Sequence, residues 1–303
     1  MSRNKADHLW VGQVLPIGTA AWILHKIMGI RYSVFTHGMD IVAPQSNPRK
    51  KKLLQMILRS ADEVVANSLY TKTELIKLGV SADEIRIIYP GVDPEEFVEP
   101  RAEEIAEFCQ KYGLEGKRVI AGIGRLVERK GFQFAILALK NVAAKYPNAV
   151  LVLGGEGVYG QTLKCCARDQ FGDDYSKKII FCGTLNIRDR ACLYSLCEFF
   201  VTPSVDLAGD IEGFGMVYLE AAMYGKPSIG GNSGGVPEAV ISGETGYIVE
   251  GRDISSLSGA MMRLLGDPEE ARRMGERARE RVMRDFTWEK LMKHHKSQVT
   301  NYK

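Results

Sequence analysis

Residues 210–235 read DIEGFGMVYLEAAMYGKPSIGGNSGG, and this stretch sets the fold class. A glycine-rich turn around Gly213 and Gly215 feeds an apolar run over 216–224 that predicts a helix. Gly225 stops that run, as glycine does at a helix C-terminus, and a short strand is predicted over 227–229. The same turn, helix and strand sequence recurs on both sides. Downstream, a strand is predicted over 247–249, then closing helices over 268–284 and 288–299. Upstream, strands are predicted over 118–123, 149–153, 178–182 and 199–202. Before them comes a charged, irregular segment with a linker near 91–100 and one helix at 102–112. The first part of the chain predicts strands over 31–36, 63–66 and 85–89, with helices over 50–60 and 71–78. Short β-branched runs alternating with longer amphipathic ones predict an α/β fold of parallel sheets covered by helices. The second unit shows six strands and the first only three or four. A doubly wound sheet carries about six, so the first lobe is expected to lack its opening βα units.

A length of 303 residues suits two domains. Forty basic against 37 acidic residues give a net charge of +3, so no nucleic-acid partner is expected. Six cysteines, Cys109, Cys165, Cys166, Cys182, Cys192 and Cys197, include no C-x-x-C pair, which argues against zinc. Several sit in apolar runs as small hydrophobes, and a reducing, cytoplasmic compartment is expected. Residues 1–7 are polar, and no apolar core of a signal peptide follows them. The apolar stretch 14–28 is broken by Pro16, Gly18, His25 and Lys26, too short and too polar to cross a bilayer.

Three places carry candidate chemistry. Glu212 and Glu220 are separated by seven residues, one on the glycine-rich turn and one inside the helix. Free N–H groups at that helix start can hold a diphosphate, while the two carboxylates bind hydroxyls of a sugar and of a ribose. A surface acid plus a helix-face acid fits the same spacing. The second place is GIGRLVERKG, residues 122–131, after the first strand of the second unit. Arg125 and Lys130 there supply fixed positive charge where a leaving diphosphate needs it. A solvated loop partly neutralised by Glu128 is the other reading. The third is His37, in THGMD directly after a strand, at the carboxyl end where ligands of open α/β sheets bind. GEGVYG, residues 155–160, matches a dinucleotide fingerprint but follows the second strand of its unit rather than the first, so no nicotinamide site is expected. No Asp-x-Asp pair, His cluster or H-E-x-x-H occurs, and no metal site is expected. Arg49, Lys50, Lys51 and Lys52 precede apolar positions 53, 54 and 56–58, which fits either a solvated helix start or peripheral contact with an anionic membrane.

Taken together, GxGRLVxRKG, EGFGMVYLEAAMYGKP and SGGVPE (residues 233–238) resemble glycosyltransferase family 4, whose fold is the two-lobed GT-B, over nearly the whole chain. DIEGFGMVYLEA is especially similar to bacterial mannosyltransferases that act on phosphatidylinositol mannosides. The resemblance implies a retaining, metal-independent transfer of a hexose from a nucleotide sugar, GDP-mannose or a UDP-sugar, to a lipid or glycan acceptor at the inner face of the membrane, in cell-envelope glycan synthesis. No further cofactor is implied. It implies that Arg125 and Lys130 bind the donor diphosphate and that Glu212 contacts the hexose. The backbone of Gly213, Phe214, Gly215 and Met216 would line the sugar pocket, Glu220 would hold the ribose, and His37 would lie near sugar and acceptor. Residues 182–185, with Gly183 and Leu185, would face the nucleobase. The expected divisions are a partial acceptor-side lobe over 1–95, a sugar-nucleotide lobe over 96–286 and a crossover helix over 287–303. Two other functions share these features: a nucleotide-sugar-binding module without turnover, and a GT-B sugar-nucleotide epimerase.

Overall fold

The computed structural model describes residues 7–299; the polar start 1–6 and the end 300–303 of the expected crossover helix lie outside them. Among the described residues, ten strands form two parallel sheets. The first sheet holds β1 (His8–Val11), β2 (Arg31–Thr36), β3 (Glu63–Ala66) and β4 (Ile85–Ile87), in that order across the sheet. The second holds β5 (Arg118–Ile123), β6 (Ala149–Gly154), β7 (Ile179–Gly183), β8 (Phe199–Thr202), β9 (Ser228–Gly231) and β10 (Gly246–Val249), in the order β10-β9-β8-β5-β6-β7.

The sequence locates nine of these strands to within about two residues. The strand predicted over 85–89 stops at Ile87, ahead of Pro90, although the Ile88 amide still bonds the Ala66 carbonyl at 2.9 Å. β1 was not anticipated. HLWV is too short to show a period, and its strand state comes from pairing in register with β2, His8 opposite Arg31. The first sheet winds in one direction only, and the outer edge of β1 has no strand partner among the described residues.

Alternation along β5 shows why the second sheet is stable. Val119 and Ala121 pack on one face, with Val150, Val152 and Phe200, against the helices Met216–Met223 and Pro268–Asp285. Ile120 points the other way, with Leu151 and Phe199, against the helices Phe132–Lys145 and Ile254–Gly266. Both faces are covered, as a parallel sheet requires. A smaller core sits on the first sheet, where Val34 and Val64 meet Leu54, Ile57 and Leu75. The apolar stretch 14–28 folds as a turn ending in the helix Thr19–Met28. Among the described residues, no helix is long and apolar enough to cross a membrane.

The two sheets meet through an aromatic triangle and a doubled-back chain. Tyr89, Phe214 and Phe286 have ring centroids 5.5–5.6 Å apart. The Val92 amide donates to the Phe286 carbonyl at 2.8 Å, and Trp288 N–H returns to the Val92 carbonyl at 3.1 Å. The closing helix Trp288–Val299 thus begins against the connection that follows the first sheet.

Candidate active site

Strand order reverses at β5: β6 and β7 lie to one side, β8, β9 and β10 to the other. At such a switch point the loops after two neighbouring strands diverge and leave a crevice at their carboxyl ends. The loop after β5 carries Arg125, Arg129 and Lys130; the loop after β8 carries Asp210 and Glu212. They meet as a buried ion cluster. Lys130 Nζ and Arg129 Nη1 each lie 2.6 Å from Glu212 Oε2, and Arg129 Nε lies 2.8 Å from Asp210 Oδ1. Arg129, Lys130 and Glu212 are 7, 6 and 8% exposed, so the solvated-loop reading of 124–131 fails for these cations. Burial pushes the Glu212 carboxyl up, but the charges of Lys130 and Arg129 outweigh it and hold the group below its ordinary value. Glu128, the expected neutralising partner, is exposed, and the loop is neutralised by Glu212 and Asp210 instead. Arg125 is exposed at the rim.

Glu212 sits on the turn, and the helix opens at Met216 after Gly215 at φ 96°, as the glycine-rich reading requires. Glu220 lies on that helix and accepts the Tyr194 hydroxyl at 3.0 Å, with Arg190 Nη1 3.7 Å away. Burial raises the Tyr194 phenol well above its ordinary value, with the Glu220 charge adding to the effect, so the phenol stays a donor to that carboxylate. Phe214 is buried in the aromatic triangle rather than open to a ligand, and Met216 is half-buried. Gly183 ends β7, its carbonyl accepting Gly155 N–H at 2.7 Å, and Leu185 packs over Gly154 at the end of β6. Both therefore lie at the carboxyl edge, beside the Arg125 loop.

The first sheet brings His37 to this edge. The ring Nε2 of His37 donates to the Gly12 carbonyl at 3.2 Å, and its amide donates to Asp40 Oδ1 at 2.8 Å. The part of His37 that touches the second sheet's loop is its carbonyl oxygen, which accepts Asn67 Nδ2 at 3.4 Å and lies against Gly213. A Cβ at 213 would collide with that oxygen, so glycine is what lets the two lobes close there. Nearby, the Glu238 carboxylate accepts the Leu69 and Tyr70 amides at 2.7 and 3.0 Å, at the start of the helix Leu69–Lys77. This carboxylate of one lobe caps a helix of the other and meets its positive dipole end. Glu238→Gln is expected to cost about 1–2 kcal/mol and to speed hydrogen exchange at those two amides. Unchanged exchange would show that the cap does not persist in solution.

GEGVYG proves to have a packing role. Gly155 and Gly157 lie against the carbonyls of Gly124 and Leu126, where any Cβ would collide, and Glu156 carbonyl accepts Leu126 N–H at 2.9 Å. These glycines support the neighbouring cationic loop. Arg129, Asp210, Tyr194 and Glu238 escaped the sequence reading. Arg129 had a signal in its place beside Lys130 in a short basic turn, while Asp210 and Glu238 stood inside quoted motifs with no role assigned to them. Among the described residues, no three His, Cys, Asp or Glu side chains gather as a metal-binding set.

Comparison with known proteins agrees with this fold. The model for Glycosyl transferases group 1 matches residues 104–281, and that for Glycosyltransferase Family 4 matches residues 1–96. A GDP-mannose-dependent alpha-(1-6)-phosphatidylinositol monomannoside mannosyltransferase of Mycobacterium tuberculosis is 31% identical, over 96% of this chain and 76% of its own length. The monoacylated-substrate counterpart of Corynebacterium glutamicum is 32% identical, over 94% and 74%. Sucrose-phosphate synthase from Thermosynechococcus elongatus superposes with a TM-score of 0.82 at 25% identity, covering 98% of this chain and 74% of that one. Anabaena HepE in complex with UDP superposes with a TM-score of 0.85 at 21% identity, covering 97% and 79%, a likeness of fold alone. The family model spans more than half of the residues, and two parallel sheets close on one cleft in the GT-B manner, so the chain belongs to the group 1 glycosyl transferases and is a hexosyltransferase.

Proposed function

We propose that the chain transfers a hexose from a nucleotide sugar to a lipid or glycan acceptor, with retention of anomeric configuration and without a metal ion. One observation carries the reading: Lys130 from the loop after β5 meets Glu212, which stands just ahead of the helix Met216–Met223, at the switch point, with Arg125 exposed on the same loop as Lys130. Lys130, Arg125 and the free N–H groups at 215–217 bind the donor diphosphate and take up the charge that develops as it leaves. Glu212 accepts hydrogen bonds from the hexose and Glu220 from the ribose, while Gly183 and Leu185 flank the base. In the retaining step, the acceptor oxygen bonds to the anomeric carbon on the face from which the phosphate departs. The sugar–phosphate bond breaks, and the acceptor proton passes to the departing phosphate oxygen. His37 stands at the acceptor side of the cleft.

GDP-mannose is the first donor to try, because two relatives above 30% identity carry GDP-mannose in their names; a UDP-sugar is the second. For the acceptor, an anionic lipid surface suits Arg49, Lys50, Lys51 and Lys52. All four are exposed at the start of the helix Pro48–Arg59, within its first five residues, where their charge opposes the helix dipole. Such a surface would bring the protein to the membrane periphery.

Calorimetric titration with GDP, UDP, ADP and GDP-mannose tests the donor site. One nucleotide should bind, and Glu220→Ala should weaken it about tenfold or more, the worth of a charged hydrogen bond. Transfer should then survive EDTA and give an α-linked product by NMR. A folded chain that binds no nucleotide would sink the reading.

A further inference from the structure

Arg129 is tied three times to the loop after β8. Its carbonyl accepts Val205 N–H at 2.8 Å, its Nε faces Asp210 at 2.8 Å and its Nη1 faces Glu212 at 2.6 Å. Lys130, next in the chain, spends its ammonium on the same Glu212 oxygen at 2.6 Å. A donor diphosphate entering the crevice competes with Glu212 for that ammonium. Lysine is a point charge on a flexible stem and can be handed over. A guanidinium is rigid and permanently charged: Nη1 of Arg129 donates to Glu212, while its Nε makes a close ion pair with Asp210 outside hydrogen-bond geometry. A carboxylate only 8% exposed cannot lose all its cations without a large desolvation cost.

We propose that Arg129 is a positioning residue for the donor: it holds Glu212 beside Asp210 while Lys130 passes from Glu212 to the diphosphate, so that the carboxylate stays aimed at the hexose. This rests on the donor-site reading above. The charged and titratable groups facing Glu212 are Arg129 and Lys130 from the turn Glu128–Lys130, Asp210 from its own loop and Tyr218 from the helix Met216–Met223. Burial raises the Tyr218 phenol, with the Glu212 charge adding to the effect, so it stays neutral at working pH. Arg129 is then the cation that keeps the carboxylate ionised after Lys130 turns away.

The test compares wild type, Arg129→Met and Arg129→Lys by titration with GDP and GDP-mannose, and with UDP and UDP-glucose in parallel, between pH 5 and 8. The readout is the affinity gained by adding the sugar. In wild type this gain should be level across the range. In Arg129→Met, nucleotide affinity should fall, because Lys130 is then the last cation on a buried carboxylate; beyond that loss the gain from the sugar should fall a further tenfold or so, and its acid limb should move toward neutral pH. Arg129→Lys should restore part of the gain. Should Arg129→Met not fold, Arg129→Lys alone decides: an intermediate gain with a raised acid limb supports the proposal, and wild-type values overturn it. Equal weakening of both ligands with an unmoved pH profile would assign Arg129 a packing role only and overturn it as well. Nucleotide binding by the wild type with no gain from the sugar overturns the proposal alone. Absence of any nucleotide binding overturns the donor-site reading and the proposal with it.

Discussion

Glu212→Ala is expected to reduce kcat/KM for transfer by about 10²–10³-fold and to destabilise the fold by about 3–5 kcal/mol. The two effects have separate causes. Transfer falls because the carboxylate proposed to meet the hexose as positive charge develops at its anomeric carbon is gone. Stability falls because Arg129 and Lys130, 7 and 6% exposed, lose their shared counter-ion and remain buried. The second cost is unusual for an active-site substitution, since removing a group that serves only catalysis often leaves stability unchanged or raised. Glu212→Gln separates the two. The amide fills the same space and accepts one bond but supplies no counter-charge, so only the packing part of the stability should return, while transfer should stay near the alanine level. A nucleoside diphosphate should bind the glutamine variant at least as tightly as wild type, because Lys130 no longer has a carboxylate to leave. Thermal unfolding, initial rates and diphosphate titration on the two variants measure this. An alanine variant as stable as wild type would mean that the cluster is not closed in solution.

The sequence made the fold legible because parallel sheets buried on both faces write themselves as repeated β-branched runs. β5 and β8, RVIAGI and FFVT, were located to the residue. β1 escaped because four residues, with Trp10 76% exposed, carry no alternation. The site was half legible, for a related reason. Glu212, Glu220, Arg125 and Lys130 stand on glycine-marked turns and a helix, and local pattern points to them. What they pair with is set by tertiary contact. Arg129 and Glu212 are 83 residues apart, Tyr194 and Glu220 are 26 apart, and Glu238 reaches Leu69 across 169. No local spacing encodes those distances. The same limit explains His37. Its position after a strand puts it at the carboxyl edge, but its ring turns to Gly12, and its carbonyl makes the contact with the other lobe.

Gly213→Ala should lower kcat about 100-fold while leaving nucleotide affinity within about threefold, on the footing that a misplacement of about 1 Å costs that much rate. The added methyl would collide with the backbone oxygen of His37, and backbone cannot rotate away as a long side chain can. Gly38 offers no slack, since a Cβ built there lies only 3.0 Å from the Gly213 Cα. The two lobes must therefore part at this point. The proposed diphosphate site stays whole, because Arg125, Lys130 and the helix Met216–Met223 all belong to the second sheet's lobe. What is lost is the approach of the 36–40 strand end, and with it the proposed acceptor side of the cleft. Parting the lobes also strains the Glu238 bonds to Leu69 and Tyr70, so exchange at those two amides should quicken in the same variant. If nucleotide affinity fell as far as kcat, donor binding itself would depend on the first lobe. If kcat held, catalysis would not need the lobes to touch at Gly213, and closure there would be a resting contact rather than part of the transfer.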